Sequence, residues 1–489
     1  MSSPSDYSEM RILFCSAEVS PFAKVGGLAD VAGSLPKALS KMGHQVVVCM
    51  PAYGMAFDGI DPKMIEKKSG IHVQLNPIQG VMADVYRVKF PEYELWLIDG
   101  EERFKRVKES ADVYSFSRDD YLFFSKACLR CAEALGWMPD VVHAHDWHMG
   151  FVPVLMREVN TLAWNQTGSV FTIHNIAYQG EFGFDTLDAI GMPHDRFTWD
   201  KLETFGGVNF LKSGCTYADQ VNTVSPTYAN EITTPEYGYR LNGLMTYLRA
   251  QHRLRGILNG IDIQVHDPAT DRSLPAHFDS EKLEGKKKCR TALAQELNLK
   301  IADNKPIGAM ICRLSEQKGF DLLMQGMPRM MDLGMGVVVL ALGNQTEAAQ
   351  LKAIEAKYPN QLRFVNAFDA ELAQRIYGGA DIFLMPSAFE PCGLGQMFAM
   401  RYGTVPVVRY TGGLADTVFD GINGFVFGSR LTKEFVGAVE RAVALFDKPD
   451  LWKRLVYAGM TQDFSWDKSA KEYVEMYREA CESRMRLTA

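Results

Sequence analysis

Two copies of the pentapeptide Gly-Gly-Leu-Ala-Asp lie near opposite ends of the 489-residue chain, one shortly after Lys24 and one directly after Thr411. Glycine lets a backbone approach an anion closely, and the residues that follow start a helix whose N-terminus attracts negative charge. A single copy is most often only a tight turn, whereas two identical copies favour a polyanionic ligand held from two sides. The glycines concerned are Gly26 and Gly27 in the first copy and Gly412 and Gly413 in the second.

The motifs that the sequence lacks narrow the class of ligand. There is no G-x-G-x-x-G and no G-x-x-x-x-G-K-[ST], which argues against a dinucleotide enzyme and against an ATP or GTP hydrolase. There is also no Asp-x-Asp pair to hold Mg²⁺ on a diphosphate. Arg313 and Lys318, in "CRLSEQKGF" after the run "PIGAMIC", could neutralise a diphosphate instead. Their place after a strand favours this role over that of solvated surface charges.

A histidine-rich segment, "HAHDWH", resembles a metal site at first. A dinuclear hydrolase needs H-x-H-x-D-H, and here Asp146 comes one position too early, so the sequence predicts no metal. Asp146 and His148 suit the recognition of hydroxyl groups. His174 and Asn175, in "FTIHNIAYQG", end another buried strand, where a histidine is more often part of the core. An expected common rim with Asp146 and Lys24 favours a functional role.

The segment "SAFEPCGLGQ" follows the strand-like run "ADIFLMP" and carries Glu390 just before a helix. A carboxylate there can accept hydrogen bonds from the hydroxyls of a sugar. The backbone N–H groups near Gly393 and Gly395 could hold an attached phosphate.

These residues must be positioned by alternating strands and helices. Short apolar runs alternate with amphipathic segments along the whole chain, which is typical of βα units on a parallel sheet. Polar sequence near residue 262 separates two such series and marks the domain boundary. We predict an α/β protein with a polar tail (1–9), two doubly wound domains (10–262 and 263–462), and a helix (463–489) that crosses back to the first domain. In such sheets ligands bind at the carboxyl ends of the strands.

Bulk composition describes an ordinary globular protein. Hydrophobic residues make up 47% and the net charge is −7, so nothing indicates a nucleic-acid or membrane partner. No apolar run approaches the roughly 18 residues of a membrane span, and the first nine residues lack a secretory signal. Nine scattered cysteines fit reduced thiols, so we expect a cytoplasmic protein, or a plastid one if a targeting segment has been removed.

Seven motifs taken together resemble those of the bacterial glycogen synthases and plant starch synthases, in the family's order from about Met10 to the final helix. The resemblance implies a retaining GT-B glycosyltransferase: two facing Rossmann-like domains with a catalytic cleft between them. It also implies transfer of glucose from ADP-glucose to the non-reducing end of an α-1,4-glucan, with no cofactor and no metal. The motifs are "KVGGLADV", "HAHDWH", "TIHNIAYQG", "ILNGID", "RLSEQKG", "FEPCGL" and "TGGLADTV".

The resemblance also implies roles for individual residues. Glu390 would bind the glucose hydroxyls, Arg313 and Lys318 would neutralise the departing diphosphate, and Asp146 and His174 would lie near the sugar and the acceptor. Retention usually needs two carboxylates. No second carboxylate nucleophile is evident, and the family is thought to react on one face, with the leaving phosphate deprotonating the incoming hydroxyl.

Further residues would bind the substrates without taking part in the chemistry. Tyr377 matches the tyrosine that stacks on the base, and Asn259 lies at the inter-domain hinge. The complete set implied for binding is Lys24, Gly26, Gly27, His148, Asn175, Asn259, Tyr377, Cys392, Gly393, Leu394, Thr411, Gly412 and Gly413.

Two positions depart from the family's pattern, and alternatives remain open. Ala388 stands where the family usually has Arg, and Gly395 where it commonly has Thr or Asn. We expect modest retuning of donor or acceptor preference. The alternatives are a non-catalytic glucan-binding or initiation homologue and a GT-B enzyme that makes a small glucoside. Glycogen or starch as product, ADP- or UDP-glucose as preferred donor, priming and the oligomeric state stay open.

Overall fold

The computed structural model describes residues 9–158 and 162–488, so the predicted polar tail lies, except for its last residue, outside the described residues. The chain divides into two compact units. The first runs to Gly260 and takes in the chain again from Trp466, and the second spans Ile261–Ser465.

The first unit is built on a nine-stranded sheet with the order β12-β11-β7-β6-β1-β2-β5-β4-β3. Seven neighbouring strands are parallel, and β3 and β4 add an antiparallel hairpin at one edge. A three-stranded sheet, β8-β10-β9, stands apart from it. The strands are β1 (Arg11–Cys15), β2 (Gln45–Pro51), β3 (Ile65–Asn76), β4 (Gln79–Lys89), β5 (Glu94–Gly100), β6 (Val141–His145), β7 (Gly168–Ile173), β8 (Glu181–Phe182), β9 (Glu203–Thr204), β10 (Gly207–Asn209), β11 (Gln220–Thr223) and β12 (Leu254–Gly256).

Helices connect most of the parallel strands of the large sheet. The parallel strands carry continuous apolar runs such as "RILFC" because helices cover both faces of the sheet. Chain order reverses between β1 and β6, which makes the carboxyl ends of these two strands the topological switch point. The helices are α1 (Gly27–Lys41), α2 (Arg118–Ala134), α3 (Phe151–Glu158), α4 (Leu162–Gln166), α5 (Thr186–Ile190), α6 (Phe210–Tyr217), α7 (Pro226–Glu231) and α8 (Asn242–Ala250).

The second unit carries a six-stranded, all-parallel sheet in the order β15-β14-β13-β16-β17-β18, the strand order of a Rossmann fold. Its switch point lies between β13 and β16. The strands are β13 (Ile307–Leu314), β14 (Gly336–Gly343), β15 (Leu362–Val365), β16 (Ile382–Met385), β17 (Val405–Arg409) and β18 (Phe425–Phe427). The helices are α9 (Glu284–Glu296), α10 (Phe320–Asp332), α11 (Gln345–Lys357), α12 (Ala370–Gly379), α13 (Gly395–Arg401), α14 (Gly412–Thr417), α15 (Thr432–Phe446) and α16 (Pro449–Thr461). The predicted α/β class with two doubly wound sheets is confirmed.

The last helix, α17 (Trp466–Thr488), packs on the first unit. Its Tyr477 hydroxyl lies 2.9 Å from His143 Nδ1, and its Tyr473 hydroxyl accepts a hydrogen bond from Asn222 Nδ2 at 3.0 Å. These contacts join α17 to β6 and β11 in the core. In the described part of the chain, no helix is long and apolar enough to cross a membrane.

Candidate active site

In the first unit, a buried carboxylate organises the turn that precedes α1. Glu18 Oε2 accepts hydrogen bonds from the N–H groups of Val25 and Gly26, at 2.5 and 3.0 Å. Its other oxygen accepts the hydroxyl hydrogen bond of Tyr114 at 2.6 Å. Burial raises the pKa of Glu18, and the three hydrogen bonds oppose that rise. The first Gly-Gly turn is therefore held by hydrogen bonds from its own backbone N–H groups to a buried carboxylate.

The other side of the same turn is open. Lys24 Nζ lies 2.6 Å from Asp30 Oδ1 in the first turn of α1, and the Lys24 side chain is about two-fifths exposed. A surface ion pair of this kind contributes little stability, so the lysine can turn to a ligand at small cost. A Cβ placed on Gly26 would meet only Glu18 Oε1, at an ordinary 3.6 Å. The fold itself does not demand glycine there.

Asp146 follows β6 at the switch point and holds the start of the next predicted motif. Its Oδ1 accepts a hydrogen bond from the backbone N–H of His174 at 2.7 Å, and the N–H of Asn175 also bonds to it. Its backbone has φ 57° and ψ 176°, a region that residues other than glycine rarely occupy. Residues that do occupy such regions cluster at functional sites. Burial raises the pKa of Asp146 to about 7. The structure thus brings Asp146, His174 and Asn175 together.

Two histidines of the site are neutral at physiological pH. Burial lowers the pKa of both His148 and His174 to about 3. His174 Nε2 lies 3.0 Å from His145 Nδ1, which leaves Nδ1 of His174 for a ligand. The His148 ring stacks between Trp147 and Tyr114, with ring centroids 4.0 and 4.7 Å away. Through Tyr114 and Glu18, His148 is linked to the Gly26 turn.

Asn259 lies one residue before the boundary at which the chain leaves the first unit. A hinge residue must lie near such a boundary. Asn259 is buried, and within the described ranges its Oδ1 has no hydrogen-bond partner. The next residue, Gly260, packs against the backbone of Trp466, where α17 begins. Its hinge role stays a prediction.

In the second unit, Lys318 and the buried Glu390 form an ion pair that is largely shielded from water. Lys318 ends a short 3₁₀ helix after β13, and Glu390 lies in the segment after β16, so each comes from one side of the switch point. Lys318 Nζ lies 2.6 Å from Glu390 Oε2, which also accepts a hydrogen bond from Ser387 Oγ at 3.2 Å. Removing one partner of a buried pair leaves an uncompensated charge, so each side chain fixes the position of the other.

Arg313 lies at the carboxyl end of β13, five residues before Lys318. It is the penultimate residue of β13, its side chain is exposed, and its guanidinium makes no ion pair or hydrogen bond with residues that the structure describes. A guanidinium without a protein partner can bind an anion without first breaking an internal contact.

The second Gly-Gly copy packs directly on the Glu390 segment. Gly412 starts α14 with φ 44°, and a Cβ there would overlap the Glu390 carbonyl oxygen. A Cβ on Gly413 would overlap the Cys392 carbonyl oxygen, and its N–H donates to the Glu390 carbonyl at 3.1 Å. Thr411 precedes them as the residue before the helix. The two glycines are required here because the backbone of the Glu390 segment lies against them.

The remainder of the "FEPCGL" segment is held by one glutamine. Gln396 Nε2 donates to the carbonyls of Cys392 and Gly393, at 3.2 and 2.8 Å, and to Thr417 Oγ1 at 3.1 Å. Leu394 is the residue that leads into α13. This segment is therefore tied both to its own helix and to α14.

Tyr377 is placed differently from what base stacking suggests. It is 7% exposed and packs against the rings of Phe383, Phe398 and Tyr402 at 5.3, 5.8 and 6.3 Å. A Cβ on Gly395 would come within 3.5 Å of its hydroxyl, so Tyr377 lies in the core just under the start of α13. Its contact with a nucleotide base stays a prediction.

Sequence reasoning missed four residues that position the site: Glu18, Tyr114, Ser387 and Arg409. Glu18 stands between a predicted strand and the first Gly-Gly copy, so its position was a usable signal. Tyr114 comes from a segment without motif or periodicity. Arg409 donates to the carbonyls of Ser387 (2.8 Å) and Ala388, a contact that only the paired strands reveal.

A metal centre has no counterpart in the described residues, where no group of three or more His, Cys, Asp and Glu side chains is arranged to hold an ion.

Two family models match most of the chain. The starch synthase catalytic domain matches residues 11–247, and the glycosyl transferases group 1 model matches residues 294–458. These matches cover both of the units described above.

Whole-chain relatives agree with the domain matches. A glycogen synthase of Pseudothermotoga lettingae is 42% identical and one of Thermotoga maritima is 41% identical, each over 96% of this chain and 99% of the relative. The catalytic domain of starch synthase IV from Arabidopsis thaliana, bound to ADP and acarbose, superposes with a TM-score of 0.88 at 32% identity, over 97% of this chain and all of that one. A sucrose-phosphate synthase from Thermosynechococcus elongatus, at 17% identity and a TM-score of 0.61, shares the fold. The chain therefore belongs to the starch synthase catalytic-domain family of GT-B glycosyltransferases, and it is a hexosyltransferase of the glycogen and starch synthase type.

Proposed function

We propose that this enzyme transfers glucose from ADP-glucose to the non-reducing end of an α-1,4-glucan with retention of configuration. The observation that carries the proposal is the Lys318–Glu390 pair, 2.6 Å apart at the switch point of a Rossmann sheet. This pair puts a cation and a sugar-binding carboxylate at one point. Support for the donor and acceptor comes from the related starch synthase IV domain, which binds ADP and acarbose.

Charge stabilisation of the leaving diphosphate supplies most of the catalysis in this proposal. Lys318 and the unpaired Arg313 neutralise the charge that develops as the bond from glucose C1 to the diphosphate oxygen breaks. Lys24 is a further cation for the diphosphate in this proposal, whereas the N–H of Gly26 stays bonded to Glu18. Preorganised donors of this kind stabilise the transition state without reorganising during the reaction.

The sugar and the acceptor are handled by the remaining residues. Glu390 accepts hydrogen bonds from the glucose hydroxyls, and Cys392, Gly393 and Leu394 line the same wall. Asp146 and His174 bind the sugar and the incoming hydroxyl. A new bond forms between C1 and the acceptor oxygen on the face that the diphosphate leaves, and the hydroxyl proton passes to the departing ADP. Both bond changes occur on one face, so the α configuration is kept.

No metal is required in this proposal, because Lys318 and Arg313 already bring two cations to the diphosphate. A test is activity after exhaustive treatment with EDTA, which should be unchanged. A loss restored only by Mg²⁺ would contradict it.

We also place the enzyme in the cytoplasm, since all nine cysteines are free thiols.

Two departures from the family's pattern are set in the second unit. Ala388 lies between Gln317, whose carbonyl accepts its N–H at 2.8 Å, and Arg409, which donates to its carbonyl. A Cβ on Gly395 would meet Phe383 at 3.0 Å, so glycine there fits the bulk of this phenylalanine. We propose a modest retuning of donor or acceptor preference. Ala388→Arg should therefore change a KM, and an unchanged KM and kcat would make the difference neutral.

The experiment that tests the proposed function uses purified protein, glycogen and labelled ADP-glucose or UDP-glucose. We expect label in the ethanol-insoluble glucan, with kcat/KM for ADP-glucose at least about tenfold higher. Soluble labelled product would indicate a small glucoside instead. No incorporation from either donor, in folded protein that still binds glucan, would indicate the non-catalytic homologue.

A further inference from the structure

An exposed phenylalanine stands at a hairpin turn where its residue type is unfavourable. Strands β9 and β10 are joined by only Phe205 and Gly206, with φ of 51° and 83°. Positive φ at both central positions is the requirement of a type I′ turn, for which Asn-Gly is the favoured sequence. A bulky side chain is disfavoured in this backbone region. Phe205 therefore destabilises the turn that it forms.

Burial does not offset this cost, because 72% of Phe205 is exposed. A large apolar side chain that is both strained and largely in water gains little from the fold beyond a contact with the Arg240 guanidinium, whose carbon lies 4.8 Å from the ring centroid. Non-glycine residues in such backbone regions cluster at functional sites, where the surrounding structure enforces the conformation. The identity of residue 205 is thus better explained by a ligand than by folding.

The neighbouring segment shows the same two properties. Tyr239 and Arg240 are consecutive, both have positive φ (45° and 70°), and the Tyr239 side chain is exposed. The Arg240 guanidinium carbon lies 4.8 Å from the centroid of the Phe205 ring and covers one of its faces. Arg240 also pairs with Glu181 at 2.7 Å. We call Phe205, Tyr239, Arg240 and Glu181 the hairpin platform.

Buried polar contacts make this platform rigid from below. Gln179 Nε2 donates to the Tyr239 carbonyl at 2.8 Å, and Asn209 Nδ2 donates to Gln179 Oε1 at 2.6 Å. A cavity of about 210 Å³ opens between the 177–181 segment and residues 239–240. The platform therefore combines a preformed recess, exposed aromatic faces and a fixed pair of charged side chains.

The platform is continuous with the candidate active site. The segment that carries His174 runs on to Glu181, one member of the platform. Phe182, the next residue, packs on Trp147 with ring centroids 6.0 Å apart, and Trp147 stacks on His148 at 4.0 Å. The platform and the His174 part of the candidate site are therefore joined by one packed segment of the first unit.

We propose that the hairpin platform binds internal glucose units of the acceptor α-1,4-glucan, several units away from the reacting end. The C–H face of a glucose ring packs on an exposed aromatic face, and Arg240 and Glu181 offer a donor fork and an acceptor pair to ring hydroxyls. This site accounts for the presence of a strained phenylalanine that is 72% exposed. The inference rests on the proposed function for its ligand.

The test is the variant Phe205→Asn, because asparagine is the residue that the turn itself prefers. We expect an equal or higher Tm, a KM for glycogen raised about fivefold or more, and unchanged kcat and KM for maltotriose, which is too short to reach the platform. Tyr239→Asn should act in the same direction. The matched control is Phe368→Asn, which removes an equally exposed phenylalanine from the second unit and should change neither constant.

Glycogen affinity in a native gel, measured without donor, separates this inference from the proposed function. Weaker retardation of Phe205→Asn than of the unsubstituted protein supports the platform even if no glucose is transferred. The inference is overturned if Phe205→Asn and Tyr239→Asn bind glycogen and short acceptors as the unsubstituted protein does. It is also overturned if Phe205→Asn lowers the Tm, since the Phe205 side chain would then be structural.

Discussion

The two Gly-Gly-Leu-Ala-Asp copies have the same sequence and opposite surroundings. In the second, side-chain atoms at Gly412 and Gly413 would overlap the backbone of residues 390–392. In the first, Gly26 has free space, and its N–H is already bonded to the buried carboxylate of Glu18. The second copy therefore needs glycine for the fold around Glu390, whereas in the first the freedom lies on the side open to a ligand.

Two copies of one motif can therefore have different structural roles. Both copies begin a helix at the end of a strand, as the sequence predicts. The neighbour supplied by the rest of the chain decides what the glycines do. In the second unit the neighbour is the segment of Glu390, which we propose binds the glucose, so packing and the proposed chemistry are coupled there.

The largest expected effect is that of Gly412→Ala. Its Cβ must displace the Glu390 carbonyl, and a misplacement of about 1 Å at a reacting group costs on the order of 100-fold in rate. We expect kcat to fall at least about 100-fold and the Tm to fall by roughly 5 °C. Gly437→Ala, in α15 with no atoms near its Cβ position, is the matched control and should change neither. A fully active, equally stable Gly412→Ala would refute the packing role of the second copy.

Lys318→Gln tests the charge that this packing holds in place. We expect kcat to fall about 100-fold, as for the loss of one preorganised stabiliser, while the fold stays intact. Lys352→Gln, which removes an exposed lysine of the same unit, should leave steady-state kinetics unchanged. A decrease in kcat below threefold would remove Lys318 from the catalytic machinery.

Asp146 provides the corresponding test in the first unit. Because burial raises its pKa to about 7, the carboxyl is neutral below that pH and ionised above it. The ionised form accepts a hydroxyl hydrogen bond more strongly, so kcat/KM should rise through pH 7. His174, with a pKa of about 3, does not titrate in this range.

Asp146→Asn keeps the shape and tolerates positive φ. It should lower kcat/KM about tenfold at pH 8 and abolish the rise, as measured in pH–rate profiles. Persistence of the rise in the variant would assign it to another group.

The smallest expected effect is that of Gly26→Ala. The added methyl group fits beside Glu18, so the Tm should stay within about 1 °C. Because a side chain limits how closely an anion can approach the backbone of the turn, the KM for ADP-glucose should rise about three- to fivefold, with little change in kcat. Gly243→Ala, a change with no neighbour in α8, is the control. A large fall in Tm for Gly26→Ala would erase the contrast between the copies.

Much of the fold could be predicted because it depends on local patterns. The buried parallel strands are continuous apolar runs, and β13 and β16 fall in the runs "PIGAMIC" and "ADIFLMP", where the sequence predicts strands. The antiparallel pair β3 and β4 was not predicted, because its outer face is polar and "IEKKSGIHVQLN" shows alternation only in its second half.

The site could be predicted in part. Residues at strand ends could be predicted, and contacts between distant segments could not. Polar residues directly after strands, such as Asp146 and Glu390, are visible as motifs because topology alone brings strand ends together. Contacts across distant segments, such as Tyr114 with Glu18, depend on side-chain packing and leave no periodic signal. A motif match implies that Tyr377 stacks on a base, which stays a prediction, and the structure adds that core aromatic rings surround this side chain.

The most direct test of the central claim is the site of incorporation. Protein, glycogen and labelled ADP-glucose are incubated, and the product is digested with an exo-acting enzyme that cleaves only α-1,4 links from non-reducing ends. We expect that the unsubstituted protein and Glu440→Gln incorporate label that this digestion releases, and that Glu390→Gln incorporates almost none. Full incorporation by Glu390→Gln, or label that resists the digestion, would contradict it.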